Sequence, residues 1–373
     1  MKIIILKNNL KTGLDAINKL GIESNSSTLP ILKSFLIETV DNKIKLTMTN
    51  LEMAITVFVP GKIVEEGSLP VPFGIFNSII SNIQAERINL DEKNGSLIIK
   101  TDNYQAKIQG NKKEEFPIIP KINNKELFFK IPAASIKKAL YSIMGAIQVS
   151  EIKPELGGVL FDFQINNLKL AATDSFRLAE KTIPDTQFDS NIEHAFKMII
   201  PLKTIQDVVR IFKDEDDKIN IGFDPNQVLF KTENVEIISR TIGGNFPDYQ
   251  SIIPQLFETE VIVNRDQLIN ALKLTSSFTD KLNEIKVVVG EKTKNIEVYS
   301  SSQILGDNQY LIPAKIKGQS LEIVFNWRFL LDGIKVLDSE SVFMGLNGHN
   351  KPAIIKSPGD ISYFYVLMPI KAN

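Results

Sequence analysis

The residue types that carry most enzyme and metal chemistry are thin on this chain. It has two histidines, His194 and His349, and no cysteine. Disulfides, thiolate metal sites and cysteine nucleophiles are therefore excluded. The histidines form no HExxH-type pair that could hold a catalytic zinc, so each reads as a surface or loop residue. There is no GxxxxGK[ST] phosphate loop; Gly157-Gly158 and Gly243-Gly244 are lone pairs suited to strand packing and turns. The run Asp214-Glu215-Asp216-Asp217 could suggest a cation site. It follows a helical stretch and precedes a strand, and it lacks the alternate ligands, glycine and distal glutamate of an EF-hand loop. It reads as a solvated loop. No metal and no cofactor is expected. A metal-dependent hydrolase stands as the enzymatic alternative, and a metal-dependent activity surviving purification would favour it.

The basic residues are more numerous but are balanced: 43 lysines and arginines face 44 aspartates and glutamates. An ordinary DNA-binding module shows a basic excess. A nucleic-acid role here must come from segregated charge or from topology.

The elements that position these residues follow an internal repeat of about a third of the chain. MKIIILKNNLKTGLDAI, LFFKIPAASIKKALYSI and TEVIVNRDQLINALKLT each read as a strand followed by a helix. Ile3, Phe129 and Val261 match with strand period, and Leu10, Ile136 and Leu268 match on the helix, followed four residues on by Leu14, Leu140 and Leu272. A second helix recurs in VPFGIFNSIISNI, IPLKTIQDVVRIF and FNWRFLLDGIKVL, where Phe76, Ile205 and Leu330 match, as do Ile80, Val209 and Ile334. Hairpin turns recur at Asn94-Gly95, Pro225-Asn226 and Asn347-Gly348, and at Asp41-Asn42, Asn166-Asn167 and Lys294-Asn295. Phe116-Pro117 and Phe246-Pro247 open proline-closed connectors. The pattern predicts an α+β protein of three similar domains, each with two helices packed on antiparallel sheet. Their expected bounds are 1–121, 127–250 and 259–373. The 373-residue length also requires more than one core. The N-terminal apolar run is too short for a signal peptide, and no stretch reaches the length of a membrane span. A soluble, cytoplasmic protein is expected.

This plan resembles the bacterial DNA sliding clamp, the beta subunit of the replicative DNA polymerase III holoenzyme. TLPILKSFLIE, TNLEMAI, GGVLF, ATDSFRLA, FPDY and YVLMPIK match family segments in order and over the whole chain. The resemblance implies a homodimer joined head to tail into a ring, with helices lining a hole that holds duplex DNA. It implies a non-catalytic processivity factor for DNA replication, opened by a clamp loader, that tethers the polymerase and other replication and repair proteins. A repeat scaffold that binds only proteins is the other alternative; failure to be retained on circular DNA with a loader present would favour it.

Against that picture, the helix faces opposite the apolar stripes should meet DNA. At about 100° per residue they carry Lys19, Lys138, Lys203, Arg210, Lys273, Arg328 and Lys335, interrupted by Asp15, Asp207 and Asp332. Lys153 lies near further family DNA-contact positions. Such cations would contact phosphates without reading bases. The resemblance also implies a partner-peptide pocket of Leu156, Thr173, Ser175, Phe176, Arg177, Leu178, Pro247, Ile252, Pro352, Val366, Leu367, Met368, Pro369 and Ile370. Several positions depart from familiar members. Ser175-Phe176 replaces a common Gly-His pair and Ser251 a frequent arginine. Ser26 and Gly74 replace arginines, Ser150 a glutamine, and Pro154-Glu155 a tyrosine pair.

Overall fold

The computed structural model describes residues 1–20, 29–122, 127–149, 152–214, 218–290 and 294–370. Ser26, Ser150 and most of the 214–217 acidic run lie outside them. Six α-helices occur among the described residues: α1 (Lys7–Lys19), α2 (Phe73–Asn82), α3 (Ala133–Met144), α4 (Leu202–Ile211), α5 (Arg265–Thr275) and α6 (Trp327–Lys335).

The chain divides into two compact units. The first comprises Met1–Lys137, Phe188–Ile192 and Lys203–Thr241; the second comprises Lys138–Gln187, Glu193–Leu202 and Ile242–Asn373. The first holds a five-stranded and a nine-stranded sheet, the second a twelve-stranded one, and their ladders are antiparallel. The middle third of the sequence thus gives strands to both units. In the first unit, Val235–Arg240 pairs with Met53–Val59. In the second, Arg177–Pro184 pairs with Tyr363–Leu367. Each pairing joins strands from successive sequence repeats into one sheet.

The expected apolar stripes form the core. Leu10, Leu14 and Ile17 of α1, Ile136, Leu140 and Ile143 of α3, Leu268 and Leu272 of α5, and Leu330 and Ile334 of α6 are buried. Helix α4 differs from its expected phase. It buries Thr204, Ile205, Asp207, Val208 and Ile211, while Val209 is only half-buried. These positions trace an i, i+3, i+4, i+7 face, rotated by about one residue from the stripe read from sequence. Side-chain caps start α5 and α6: Asn264 accepts from the Gln267 amide, and Asn326 from the Arg328 and Phe329 amides.

Two-residue turns form where expected at Asp41-Asn42, Asn94-Gly95 and Pro225-Asn226, each closed by a paired flanking residue. Asp41 and Asn42 have φ of 53° and 59°, the conformation that asparagine and aspartate tolerate. Asn347-Gly348 instead sits in a longer connection between Ser341–Leu346 and Ala353–Lys356. Gly158 has the packing role expected of it: a Cβ there would lie 2.4 Å from the Ile200 carbonyl oxygen.

Candidate functional site

In the second unit, the strand Arg177–Pro184 starts from a turn built by Thr173 and Asp174. Thr173 Oγ1 donates to the Arg177 carbonyl at 2.7 Å and accepts from the Ser175 amide at 3.2 Å. Asp174 Oδ1 accepts from the amides of Phe176 at 2.9 Å and Arg177 at 3.0 Å. These bonds hold Ser175 at φ 77°, in the left-handed region that favours glycine, and leave Phe176 59% exposed. The turn is then clamped from the chain end. Arg177 lies opposite Leu367 and Leu178 opposite Val366, and the Met368 amide donates to the Phe176 carbonyl at 2.8 Å.

Side chains alternate across a strand, so these pairs split between two faces. Leu178 and Val366 belong to a core cluster with Tyr249 and Ile354, onto which Phe246 and Ile253 of the connector pack. Tyr249 donates from its hydroxyl to Glu180 Oε2 at 2.6 Å. Burial, with the Glu180 carboxylate, pushes the Tyr249 phenol well above its usual range, so it remains a donor. Pro247 and Ile252 are exposed nearby in the chain, and Pro352, Met368, Pro369 and Ile370 are half-buried. The Ile370 amide is fixed to the Val324 carbonyl at 2.8 Å. Leu156 is buried in a 3₁₀ turn at Pro154–Leu156, just ahead of a strand two places along the same sheet.

Arg177 and Leu367 take the opposite face. The Arg177 guanidinium stacks on the Phe329 ring of α6 at 4.0 Å. Its Nε donates to Asp174 Oδ2 at 2.8 Å and its Nη1 to Asp332 Oδ2 at 2.6 Å. Arg177 is thus committed to two carboxylates. It braces the turn against α6. Beside it, α6 lies so close to Tyr365 that a Cβ on Gly333 would be 2.5 Å from the ring.

The basic helix positions divide into two kinds. Lys19, Lys138, Lys153, Lys273, Arg328 and Lys335 are exposed. Lys138 pairs with Asp338 at 2.6 Å, Lys335 with Asp332 at 2.5 Å, and Arg328 stacks on Trp327 at 4.6 Å. Lys203 and Arg210 turn instead to the end of α1. Lys203 Nζ donates to the Leu20 carbonyl at 2.8 Å and to Asp207 Oδ1 at 2.9 Å. Arg210 Nη1 donates to the Lys19 carbonyl at 2.6 Å. Cations there satisfy carbonyls that a helix end leaves open and suit its dipole. Asp207, expected on the outer face, is buried beneath both. Burial pushes its carboxyl above the usual range against the opposing pull of Lys203 and Arg210, and its Oδ2 has no hydrogen-bond partner.

Models of the N-terminal, central and C-terminal domains of the DNA polymerase III beta subunit match residues 1–120, 130–248 and 250–371. The chain belongs to this family. Relatives include the beta sliding clamp of Bacillus subtilis, 27% identical over 382 residues and matched over 100% of both chains. That of Synechococcus elongatus is 26% identical over 377 residues, covering 100% of this chain and 99% of the relative. A crystal structure of the DNA polymerase sliding clamp from Bacillus subtilis matches with TM-score 0.94 at 27% identity, covering 100% of each chain.

Within the beta-subunit family pattern, this chain brings together the turn Thr173–Leu178, the segment Val366–Met368 and the Phe246–Ile253 connector. Sequence reading missed Asp174, Phe329, Glu180 and Tyr249, and placed Asp332 only as a break in the basic helix face. Asp174 and Tyr249 had a signal, since they sit inside ATDSFRLA and FPDY; Asp332 had none local to the turn it braces. Gly74 and Pro154 are exposed and Glu155 half-buried.

Proposed function

We propose that two copies of this chain join head to tail into a ring around duplex DNA and act as the processivity factor of a replicative polymerase. The observation that carries this is a repeated rule of sheet pairing. Val235–Arg240 completes its sheet against Met53–Val59, and Tyr363–Leu367 completes its own against Arg177–Pro184. The same rule leaves one strand of each kind without its counterpart. Gln105–Gln109 is one of the two end strands of the five-stranded sheet, the other being Lys62–Glu65. Among the described residues, Gly306–Pro313 pairs with Asn295–Ser302 and Ala314–Gly318 with Thr259–Asn264, so the half running from Gly306 has a partner strand on one side. Exposed Ile304, Leu305 and Leu311 flank that open edge. Unpaired edges beside apolar side chains invite another chain. One edge of each kind makes a heterologous contact, which closes into a ring when the rotation allows.

In that ring, Lys19, Lys138, Lys153, Lys273, Arg328 and Lys335 supply phosphate contacts without base readout, with Lys203 and Arg210 contributing only what their duty at α1 leaves. The Thr173–Leu178 turn, Pro247, Ile252, Pro352 and the Val366–Ile370 segment accept a short Gln-Leu-aromatic peptide from the polymerase, the clamp loader and other replication or repair proteins, with Leu156 at the margin. The chain has no catalytic role and works in the cytoplasm; no helix among the described residues is long and apolar enough to cross a membrane. Sedimentation of the purified chain should give a mass near twice 41.8 kDa, and Leu311→Asp should shift it to the monomer. A monomer at micromolar concentration, or a threefold mass, contradicts the ring.

A further inference from the structure

The turn and strand pair at the proposed peptide site occur a second time, in the first unit. Thr49 Oγ1 donates to the Met53 carbonyl at 2.8 Å and accepts from the Leu51 amide at 3.1 Å. Asn50 Oδ1 accepts from the amides of Glu52 at 3.1 Å and Met53 at 2.9 Å. Leu51 has φ 78°, against 77° at Ser175. Ala54 lies opposite Ile238, and the Arg240 amide donates to the Glu52 carbonyl at 2.9 Å. The bonds that Thr173 and Asp174 make to the backbone of their turn are reproduced, whereas the Arg177 bonds to Asp174 and Asp332 have no counterpart at Met53. The register therefore puts Ala54, Ile238 and Arg240 where Leu178, Val366 and Met368 stand in the second unit. The Phe116-Pro117 connector takes the place of Phe246-Pro247.

Here the arrangement encloses a cavity of about 350 Å³ whose lining includes Leu51, Ala54, Pro117, Ile118, Ile238 and Arg240. Its apolar side chains are unusually open: Leu51 is 48% and Ile118 95% exposed. Ala54 is smaller than the leucine it replaces, which deepens the floor. Arg240 is exposed and forms no ion pair among the described residues. The second unit has a methionine at that place. An aliphatic side chain entering beside Arg240 would bring its neighbour within reach of a cation, and a guanidinium selects a carboxylate there.

We propose that this cavity is a second peptide groove, which takes an extended segment with an aliphatic anchor next to an acidic residue. The inference rests on reading the Thr173–Met368 region as a peptide site, and the test separates the two. Fluorescence anisotropy of the full-length protein uses two labelled, end-capped probes, Gln-Leu-Ser-Leu-Phe and Ser-Ile-Leu-Asp-Ser. Leu178→Ala with Met368→Ala should weaken the first probe and leave the second unchanged. Arg240→Glu, at an exposed side chain, should weaken the second by about tenfold or more, as expected for loss of a charged hydrogen bond, and leave the first unchanged. Leu51→Asn, which tolerates positive φ, should also weaken only the second. The second groove is overturned if the acidic probe does not bind, binds Arg240→Glu as well as wild type, or is displaced by the first probe. If the first probe ignores Leu178→Ala with Met368→Ala, the first site has failed instead, whatever the acidic probe does.

Discussion

Arg177→Ala tests whether this arginine positions the turn or serves the ligand directly. The Arg177 side chain is 10% exposed, and those of Asp174 and Asp332 are 1% and 25% exposed. Removing one partner from a buried pair costs about 3–5 kcal/mol because the other charge stays behind unpaired. Two features reduce that cost here. Asp174 keeps its two amide donors on Oδ1, and Asp332 keeps Lys335 at 2.5 Å. Loss of the stack on Phe329 adds about 1 kcal/mol. The expected destabilisation is therefore about 3 kcal/mol. Trp327, the chain's single tryptophan, begins α6, the helix that Arg177 grips, so its fluorescence during urea unfolding reports on this unit. Arg177→Lys keeps the charge but cannot reach both carboxylates as a fork, and should recover about half the loss. A positioning residue also predicts weaker peptide binding in proportion to the disturbed turn. Arg177→Ala unfolding within about 0.5 kcal/mol of wild type, a shift ordinary for a surface substitution, would refute the reasoning.

Three further outcomes are expected. Asp207 has its folded-state pKa raised by burial, so the folded protein binds the extra proton and its stability falls as pH rises from the unfolded aspartate value of about 3.9 through the raised one; Asp207→Asn should flatten that slope in urea titrations at pH 4 to 8, and an unchanged slope would contradict it. Charge reversal of Lys203 and Arg210 should lower the melting temperature of the first unit, at about 0.3–1 kcal/mol for each cation lost from a helix end, as well as impair loading on DNA; loss of loading with unchanged melting would show that the brace on α1 is unimportant. Protein loaded on circular DNA should survive moderate salt and leave once the circle is cut with its ends unblocked; retention on the linear form would replace encirclement by surface binding.

Much of this architecture was legible in the sequence because its signals are local and repeated. Leu10, Ile136 and Leu268 could be aligned because a helix stripe and a strand alternation each fit within a dozen residues. The turn at Asp41-Asn42 was legible for the same reason. Legibility ended where partners are distant in the chain. Nothing around Arg177 announces Asp332, and nothing around Lys203 announces the carbonyl of Leu20. The phase of α4 differs at Val209 because alignment with Ile80 and Ile334 sets the stripe by apolar residues alone, and that pattern gives no reason to bury Asp207. Asp207 is buried because two cations lie over it, and a hydrophobic pattern cannot express that compensation. At the peptide site the sequence offered a set of residues but not their sides: strand alternation sends Leu178 one way and Arg177 the other.

The same long-range pairings bear on how a nearly neutral chain could hold DNA. Lys138 is engaged with Asp338, Lys335 with Asp332, and Lys203 and Arg210 with Asp207 and the end of α1. A phosphate approaching any of these must share or displace a partner already present, so each contact gains less than it would from an unengaged lysine. Affinity built on six to ten full phosphate contacts would fall by about 10³–10⁵ between 50 and 200 mM salt, and would also slow movement along the duplex. Cations already compensated by carboxylates give a shallower, smoother surface, while Lys19, Lys153 and Lys273 form no ion pair among the described residues and keep their full charge. Closure of the ring, at the two strand edges without a partner among the described residues, would add retention that does not depend on salt.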